Sequence, residues 1–274
     1  MPAFHNQTRR SPSVPAKLIR QKKFHLLALY YLLITSDLAR EGVQNSGSYR
    51  FADHIYAGQP RGRFVIGKVL DAILLNLKSA RSLRARYVHA KAALHDLIRA
   101  TAPHAALDIL AVPSGLAREF FEVIDELNQH DDPRLAQVNW HGLDLDPGLV
   151  DVLNLKAHNY GSNMNFFVGD ALNHEHYPLR YNMVVSTGLT EFLSDTDTLA
   201  FYRVVHRQLK LGGVFFTSGM EKHPVSDYLL RNLAELHTQY RSRAHLTDLI
   251  ARAGFSKIET SQEELQTIVL ATKT

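Results

Sequence analysis

From residue 101 onward the sequence alternates short apolar runs with stretches of helical length. The apolar runs are Leu107 to Val112, Gln137 to Leu143, Met164 to Val168, Tyr181 to Val185 and Gly213 to Thr217. The helical stretches between them are Ala117 to Asn128, Leu149 to His158 and Thr198 to Leu209. Strands that alternate with helices indicate βαβ units with right-handed crossovers, and therefore a mostly parallel sheet with helices packed on it.

The C-terminal end predicts an addition to that sheet. A helix fits Ala244 to Ala253, and two further apolar runs, Lys257 to Thr260 and Thr267 to Ala271, predict a hairpin at the sheet edge. We therefore predict an α/β domain over residues 101–274, with an antiparallel C-terminal edge strand.

The first hundred residues have a different pattern, which predicts only helices. Residues 1–16 hold three prolines in polar surroundings and are predicted to be a flexible tail. Residues 17–100 are predicted to form a helical lid or cap. Its predicted parts are a helix over Leu18 to Arg40, a polar loop over residues 41–50, a short helix and turn over Phe51 to Arg63, and helices over Phe64 to Leu77 and Ser82 to Ala100.

Composition excludes several classes of protein and leaves the role of the basic segment open. The chain has no cysteine, which excludes disulfides, thiolate metal sites and a cysteine nucleophile. The longest apolar run, Phe24 to Thr35, is too short for a membrane span, which needs about 20 residues. The start lacks an apolar signal core, so we expect a cytoplasmic location. Residues 1–100 carry 17 basic and 5 acidic side chains, which could bind an anion such as phospholipid or nucleic acid, or dock on the acidic remainder; docking is favoured.

Four successive predicted strands are followed by residues suited to holding a ligand. These residues are Pro113 to Gly115, Asp144 to Pro147, Gly169 to Ala171 and Ser186 to Leu189. In an open parallel sheet, ligands bind outside the carboxyl ends of the strands, so these positions are expected to share one site.

In this order and spacing, these strand ends resemble the class I methyltransferases that depend on S-adenosylmethionine (SAM). The segments FADHIYAGQPRGRF, VVSTGLTEFLSD, SGMEKHP and LIARAGFSK resemble a bacterial group of methyltransferases. The resemblance implies a Rossmann-like, mostly parallel seven-stranded sheet and SAM as cofactor. It implies that the first loop wraps the methionine arm, Asp144 accepts the ribose hydroxyls and Asp170 holds the adenine amino group. The full set of cofactor-binding residues so implied is Pro113, Ser114, Gly115, Asp144, Leu145, Gly169, Asp170, Ala171, Ser186, Thr187 and Gly188.

Two observations qualify this assignment. Asp144, Asp146 and Asp170 could instead cap the helices that follow them, a common role for aspartate. The first loop of the family usually has the pattern G-x-G, whereas here only Gly115 remains and Pro113 takes the place of the first glycine. Proline has no backbone N–H and a fixed φ, so the methionine arm should meet a wall of different shape.

Residues for catalysis are less strongly indicated. Glu191 and His223 follow the fourth and fifth strands and are candidates for a base or hydrogen-bond donor, with a helix-start charge or a surface histidine as the alternative. Tyr56 is a candidate for contact with the sulfonium and Arg61 for contact with substrate, from the lid; packing between helices is the alternative for Tyr56. No metal site is expected, since the segment of His174, Glu175 and His176 is predicted to be a solvated loop. A solvated helix face is expected for the basic residues Lys78, Arg81, Arg84, Arg86 and Lys91.

The sequence is compatible with three functions. The first is a bacterial SAM-dependent transferase of secondary metabolism that acts on a small molecule, most simply by methyl transfer. The second attacks the γ-carbon of the methionine arm and releases methylthioadenosine, by aminocarboxypropyl transfer or by cyclisation to azetidine-2-carboxylate. The third is a catalytically silent protein of the SAM-binding fold. A small-molecule substrate is expected, and a nucleic-acid partner is not.

Overall fold

The computed structural model describes residues 13–45, 48–102, 104–160 and 163–274. The helices are α1 Ser13–Arg20, α2 Phe24–Leu33, α3 Asp37–Gln44, α4 Tyr49–Ala57, α5 Phe64–Leu75, α6 Lys78–Ala100, α7 Arg118–Gln129, α8 Pro147–His158, α9 Asp195–Gln208, α10 Pro224–Leu233 and α11 Arg243–Arg252. The strands are β1 Leu107–Ala111, β2 Val138–Asp144, β3 Met164–Val168, β4 Tyr181–Ser186, β5 Leu209–Met220, β6 Lys257–Glu263 and β7 Gln266–Thr272.

All seven strands form one sheet, in the order β3-β2-β1-β4-β5-β7-β6. The pairs among β1 to β5 are parallel, whereas β7 pairs antiparallel with both β5 and β6. The predicted fold class, a mostly parallel seven-stranded sheet with an antiparallel C-terminal addition, is therefore confirmed. The hairpin reaches the edge with β6 outermost, so the antiparallel strand β7 lies one place inside it.

The sheet is covered by helices whose apolar faces are buried against it. On α7, Phe120 is fully buried, and its ring lies 4.8 Å from the ring of Trp140 on β2. On α9, Tyr202 is fully buried, with its ring 5.4 Å from that of Phe215 on β5. Packing on these helices holds the strands rigidly, which fixes the positions of the loops at their carboxyl ends.

The N-terminal helices differ from the prediction in three places. The single helix predicted over Leu18 to Arg40 is wrong. The helix is interrupted at Lys22, whose φ is +56°. A further helix starts after Ser36, whose hydroxyl accepts the Ala39 N–H at 3.0 Å. The loop predicted over residues 41–50 is too long, because α3 continues to Gln44 and α4 already begins at Tyr49.

The predicted tail is described only in part, and one helix was missed. Residues 1–12 lie outside the described residues, and the rest of the predicted tail begins α1. Helix α10, which begins at Pro224, was not predicted. Proline suits the first position of a helix because its missing N–H has no partner there anyway.

The chain divides into two compact units. The helical unit consists of the described residues up to Ala85 together with Lys222–Thr238, and the sheet unit of Arg86–Glu221 together with Gln239–Thr274. Within the helical unit, Val14, Leu18, Leu26, Val43 and Leu233 form one apolar cluster. Within the described ranges, no helix combines the length and apolar character that crossing a bilayer requires.

Candidate functional site

The site lies in the sheet unit, at the point where the strand order reverses. Strand β1 pairs with β2 on one side and with β4 on the other, so that Ala111 lies between Gly142 and Val185. The helices that follow β1 and β4 leave in opposite directions at such a point. A crevice forms outside the strand ends, and this crevice is where ligands bind in open α/β sheets.

The loop after β1 is held tightly by the last two residues of β2. A cis peptide bond joins Val112 to Pro113, and Gly115 has φ of +48°, in the left-handed region that glycine adopts without strain. The Ser114 N–H donates to the Leu143 carbonyl at 2.9 Å. The Gly115 N–H donates to Asp144 Oδ2 at 3.0 Å. Because Pro113 has no N–H, all the backbone donors of this three-residue loop are absent or already used.

Asp144 joins the two loops and does not cap a helix. Its Oδ1 accepts the Asp146 N–H at 3.1 Å, while its Oδ2 accepts the donor from Gly115. Burial raises the pKa of the Asp144 carboxyl, and these backbone N–H groups lower it in part. A carboxylate has about four acceptor positions, and the backbone N–H groups of Gly115, Leu145 and Asp146 act on this one, so about one position remains for a ligand hydroxyl.

The capping interpretation does apply to Asp146. Its Oδ1 accepts the N–H groups of Gly148 and Leu149, at 3.0 and 3.3 Å, in the first turn of α8. Leu145, between the two aspartates, is about one-third exposed. Of the two neighbouring aspartates, Asp144 is thus the one that belongs to the strand end, whereas Asp146 begins the next helix.

The loop after β3 lies next to the same strand ends. The Gly169 N–H donates to the Asp144 carbonyl at 2.9 Å, which places the adenine loop predicted from the sequence beside the proposed ribose acceptor. The Asp170 N–H donates to His176 Nδ1 at 2.8 Å, and Asp170 Oδ1 accepts the Leu172 N–H at 2.9 Å. Ala171 is buried. One oxygen of Asp170 is therefore used in a local turn.

The loop after β4 supplies the other wall of the crevice. Ser186 is buried, and its Oγ has no hydrogen-bond partner among the described residues. Thr187 is half-buried. Gly188 has φ of +87°, and a Cβ built on it would lie 3.6 Å from Arg86 Nη2. The arginine is thus packed against the loop that the sequence assigned to the cofactor.

Arg86 forms a buried ion pair that the sequence interpretation missed. Its Nη1 donates to Glu191 Oε1 at 3.0 Å, and the two residues are only 3% and 6% exposed. Glu191 Oε2 is buried and has no hydrogen-bond partner in the described part of the chain. The prediction that Arg86 belongs to a solvated helix face is therefore wrong. It lies four residues before buried Ala90 and so continues the buried stripe of α6, a signal visible in the sequence.

A second buried carboxyl group, also missed, lies in the first turn of α7. Glu119 is 8% exposed, and burial raises the pKa of its carboxyl. Its own backbone N–H and the nearby charge of Arg86 act in the opposite direction. The charge of Arg86 therefore acts on two buried acidic side chains, Glu191 after β4 and Glu119 at the start of α7.

The other candidate catalytic residues belong to the helical unit. His223 caps α10, because its Nδ1 accepts the Ser226 N–H at 3.3 Å. Tyr56 packs against the apolar cluster that includes Ile55. Arg61 is exposed, and its backbone N–H donates to Asp71 Oδ2 at 2.7 Å. The structure thus brings Glu191 to the crevice, while the roles of the other three stay predictions.

Across the described residues, no three histidine, aspartate or glutamate side chains are grouped so that they could hold a metal ion. His174, Glu175 and His176 form one turn of 3-10 helix, which the Asn173 side chain begins by accepting the Glu175 N–H at 3.1 Å.

Known proteins match this chain in family and in fold. A family model described as "Putative methyltransferase" matches residues 16–273. No curated protein sequence matches the chain. A Bordetella parapertussis protein whose crystal structure is described as that of a possible exported protein is 20% identical, with a TM-score of 0.74 over 100% of this chain and 99% of that one.

Two solved methyltransferases share the fold. The CurJ carbon methyltransferase is 14% identical, with a TM-score of 0.60 over 93% of this chain and 71% of that one. Magnesium protoporphyrin IX methyltransferase from Synechocystis PCC 6803, solved with bound SAH (S-adenosylhomocysteine), is 12% identical, with a TM-score of 0.54 over 81% and 94% of the two chains. At these identities the comparisons show a shared fold.

Proposed function

The chain belongs to the family described as "Putative methyltransferase", and from that premise we propose that it binds SAM in the crevice and transfers its methyl group to a small molecule. The observation that carries this proposal is the position of Asp144 at the end of β2, beside the switch point, with an acceptor position left for a ligand hydroxyl. A carboxylate there suits a vicinal diol such as the ribose of SAM. The Synechocystis methyltransferase, which has been solved with SAM and with SAH, supports the choice of cofactor.

The loops around Asp144 complete the proposed nucleoside site. Leu145 and Gly169 lie on either side of the ribose acceptor. Asp170 and Ala171 are assigned to the adenine, for which Asp170 has an oxygen beyond the one bound to Leu172. A carboxylate acceptor and a backbone N–H are the complement of the exocyclic amine and ring nitrogen of adenine.

The amino-acid end of SAM needs a cation for its carboxylate and an anion for its ammonium group. Pro113, Ser114 and Gly115 offer no spare backbone N–H, so this loop cannot hold the carboxylate in the way that loops rich in glycine do. Arg86 is the buried cation that faces the neighbouring loop at Gly188. Glu191 Oε2 is the buried acceptor without a partner. We assign the two ends of the zwitterion to this pair, with Ser186 and Thr187 lining the arm.

This assignment gives Glu191 a binding role in place of the base predicted from the sequence. An acceptor on the ammonium group keeps that amine protonated, and a protonated amine cannot attack the γ-carbon of its own chain. The pair therefore favours methyl transfer over cyclisation. Bound SAM would supply an electrophilic methyl group. The protein then needs to align the acceptor with the S–CH3 bond and to exclude water.

The test is the nucleoside that the full chain releases. We expect almost no product with SAM alone and S-adenosylhomocysteine when a small-molecule extract supplies the acceptor. Methylthioadenosine above a blank without enzyme would show that the γ-carbon is attacked. No product from any extract, together with no SAM binding, would indicate a silent protein. The helical lid, the roles of Tyr56, Arg61 and His223, the cytoplasmic location and a place in secondary metabolism remain predictions.

A further inference from the structure

Helix α5 exposes an apolar face that its packing does not explain. The exposed side chains are Val65, Ile66, Val69, Ile73 and Leu77, which we call the α5 face; they are between 42% and 77% exposed. Residues at spacings of three, four and seven lie on one side of a helix, so the four residues within α5 form a continuous stripe, and Leu77 follows two residues after the helix ends. A contiguous exposed apolar surface of this kind usually marks an interaction site.

The orientation of α5 is fixed by its opposite side, which is polar and close-packed. Asp71 is fully buried and accepts hydrogen bonds from the Ser36 hydroxyl, the Leu38 N–H at 3.1 Å and the Arg61 N–H at 2.7 Å. A Cβ on Gly67 would lie 2.3 Å from the Thr35 carbonyl oxygen, so the helix backbone is in direct contact with its neighbour. The helix cannot rotate to bury the aliphatic stripe without losing the bonds of Asp71.

Phe64, at the start of α5, extends this surface. It is 84% exposed and has φ of +58°, a conformation that bulky residues rarely adopt. Its ring projects from the helix start beside the α5 face. Strained backbone conformations persist where the surrounding structure and function require them, and here the strain presents an aromatic ring to the exterior.

The charged side chains of the segment that carries the α5 face are nearly all basic. The exposed cations of this segment are Arg61 and Arg63 before α5, Lys68 within it, and Lys78 and Arg81 after it. Between residues 54 and 95 the single acidic residue is Asp71, which is buried. An apolar stripe bordered by basic side chains is the composition of helices that lie in the surface of an anionic bilayer.

We propose that the α5 face docks on anionic lipid, with Phe64 and the aliphatic side chains among the acyl chains and the basic residues at the level of the phosphates. Two other partners for the α5 face are disfavoured because they would bring basic side chains against its basic residues. A second copy related by two-fold symmetry would bring the same basic border against itself. Residues 1–12 hold Arg9 and Arg10 and no acidic residue.

The test is co-sedimentation of the full chain with vesicles of phosphatidylcholine alone and of equal parts phosphatidylcholine and phosphatidylglycerol. We expect binding to the anionic vesicles that weakens with salt. The double variant Val69→Ser/Ile73→Ser should lower partitioning by at least about tenfold. The matched control is Val152→Ser/Leu155→Ser on α8, where two exposed aliphatic residues of the sheet unit (58% and 73% exposed) lack this border. It should bind like wild type, with both variants keeping the wild-type melting temperature.

Three results would overturn the proposal. Equal binding to both vesicle types would remove the anionic requirement. Self-association in sedimentation velocity that Val69→Ser/Ile73→Ser abolishes, with no vesicle binding, would make the α5 face an interface between copies. Vesicle binding that appears only after deletion of residues 1–12 would show that the chain's own N-terminus covers the face.

Discussion

Arg86 Nη1 donates to Glu191 Oε1 across 3.0 Å, and the pair is almost completely buried beside the loop that follows β4. Such a pair is costly to desolvate, and well-packed apolar residues of similar volume often serve stability as well or better. A ligand that needs both a cation and an anion gives a functional reason for the pair. Variants of the two residues separate the contributions of the pair to stability and to binding.

Breaking the pair on one side should destabilise the sheet unit strongly. Arg86→Met leaves Glu191 buried without its cation, which we expect to cost about 3–5 kcal/mol in the free energy of unfolding. Arg86→Met/Glu191→Met removes both charges and should recover most of that loss. Urea unfolding followed by circular dichroism measures both. If the double variant is no more stable than the single one, the pair is not an isolated electrostatic unit.

Stability recovered in the double variant should not restore ligand binding. If Arg86 and Glu191 hold the amino-acid end of SAM, Arg86→Met/Glu191→Met loses two charge-assisted interactions. We then expect SAH to bind at least about tenfold more weakly. Adenosine, which lacks the amino-acid end, is the internal control and should bind both proteins equally in fluorescence or calorimetric titration. Equal loss for both ligands would point to a distorted nucleoside site instead.

The close packing of Gly142 on β2 against β3 and the loop after β1 should not tolerate even a methyl group. A Cβ on Gly142 would lie 2.2 Å from Phe166 Cδ1 and 2.9 Å from Ser114 Cβ. Gly142→Ala should therefore cost about 1–3 kcal/mol of stability and displace the loop. Gly148→Ala, where the nearest atom would be 3.4 Å away, is the matched control. A melting temperature for Gly142→Ala equal to that of this control would mean that the space around Gly142 is wider than these distances indicate.

Glu119 should make stability fall as pH rises. Burial raises the pKa of its carboxyl above the ordinary value of 4.5, so above that pH the native state retains a proton that the unfolded chain releases. The unfolded state is then favoured as pH increases toward the raised pKa. Glu119→Gln removes this titration and should be more stable than wild type at pH 7, with the difference vanishing below about pH 4. A constant difference across that range would show that Glu119 does not titrate differently in the two states.

The strands and the loops at their ends were predictable, because local sequence determines them. The five parallel strands are short apolar runs bounded by glycine, proline and aspartate, and Asp144 directly follows such a run. The division between Asp144 and Asp146 was also accessible, since an aspartate before a proline is a typical helix cap. What the sequence could not supply was the use of each N–H in the loop at Pro113, which depends on contacts with β2.

The helical unit was less predictable because its breaks do not interrupt the apolar pattern. Apolar residues continue at helical spacing through Lys22 and up to Ser36, so one helix was inferred where three exist. Arg86 was misplaced for the opposite reason, since a charged residue on a buried stripe looks like part of the basic face around it. Tertiary pairing with Glu191, 105 residues away, decides its environment.

The central claim, that Asp144 binds the ribose of SAM at the switch point, is tested most directly by calorimetry of SAH with Asp144→Ala and Asp146→Ala. Wild type should bind. Asp144→Ala should bind about ten to a hundred times more weakly, because a loss of about 1–3 kcal/mol follows when the hydroxyls lose their acceptor. Asp146→Ala should lose only its cap, about 1 kcal/mol of stability, and keep wild-type affinity. Wild-type affinity in Asp144→Ala, with or without a loss in Asp146→Ala, would show that Asp144 does not bind the ribose.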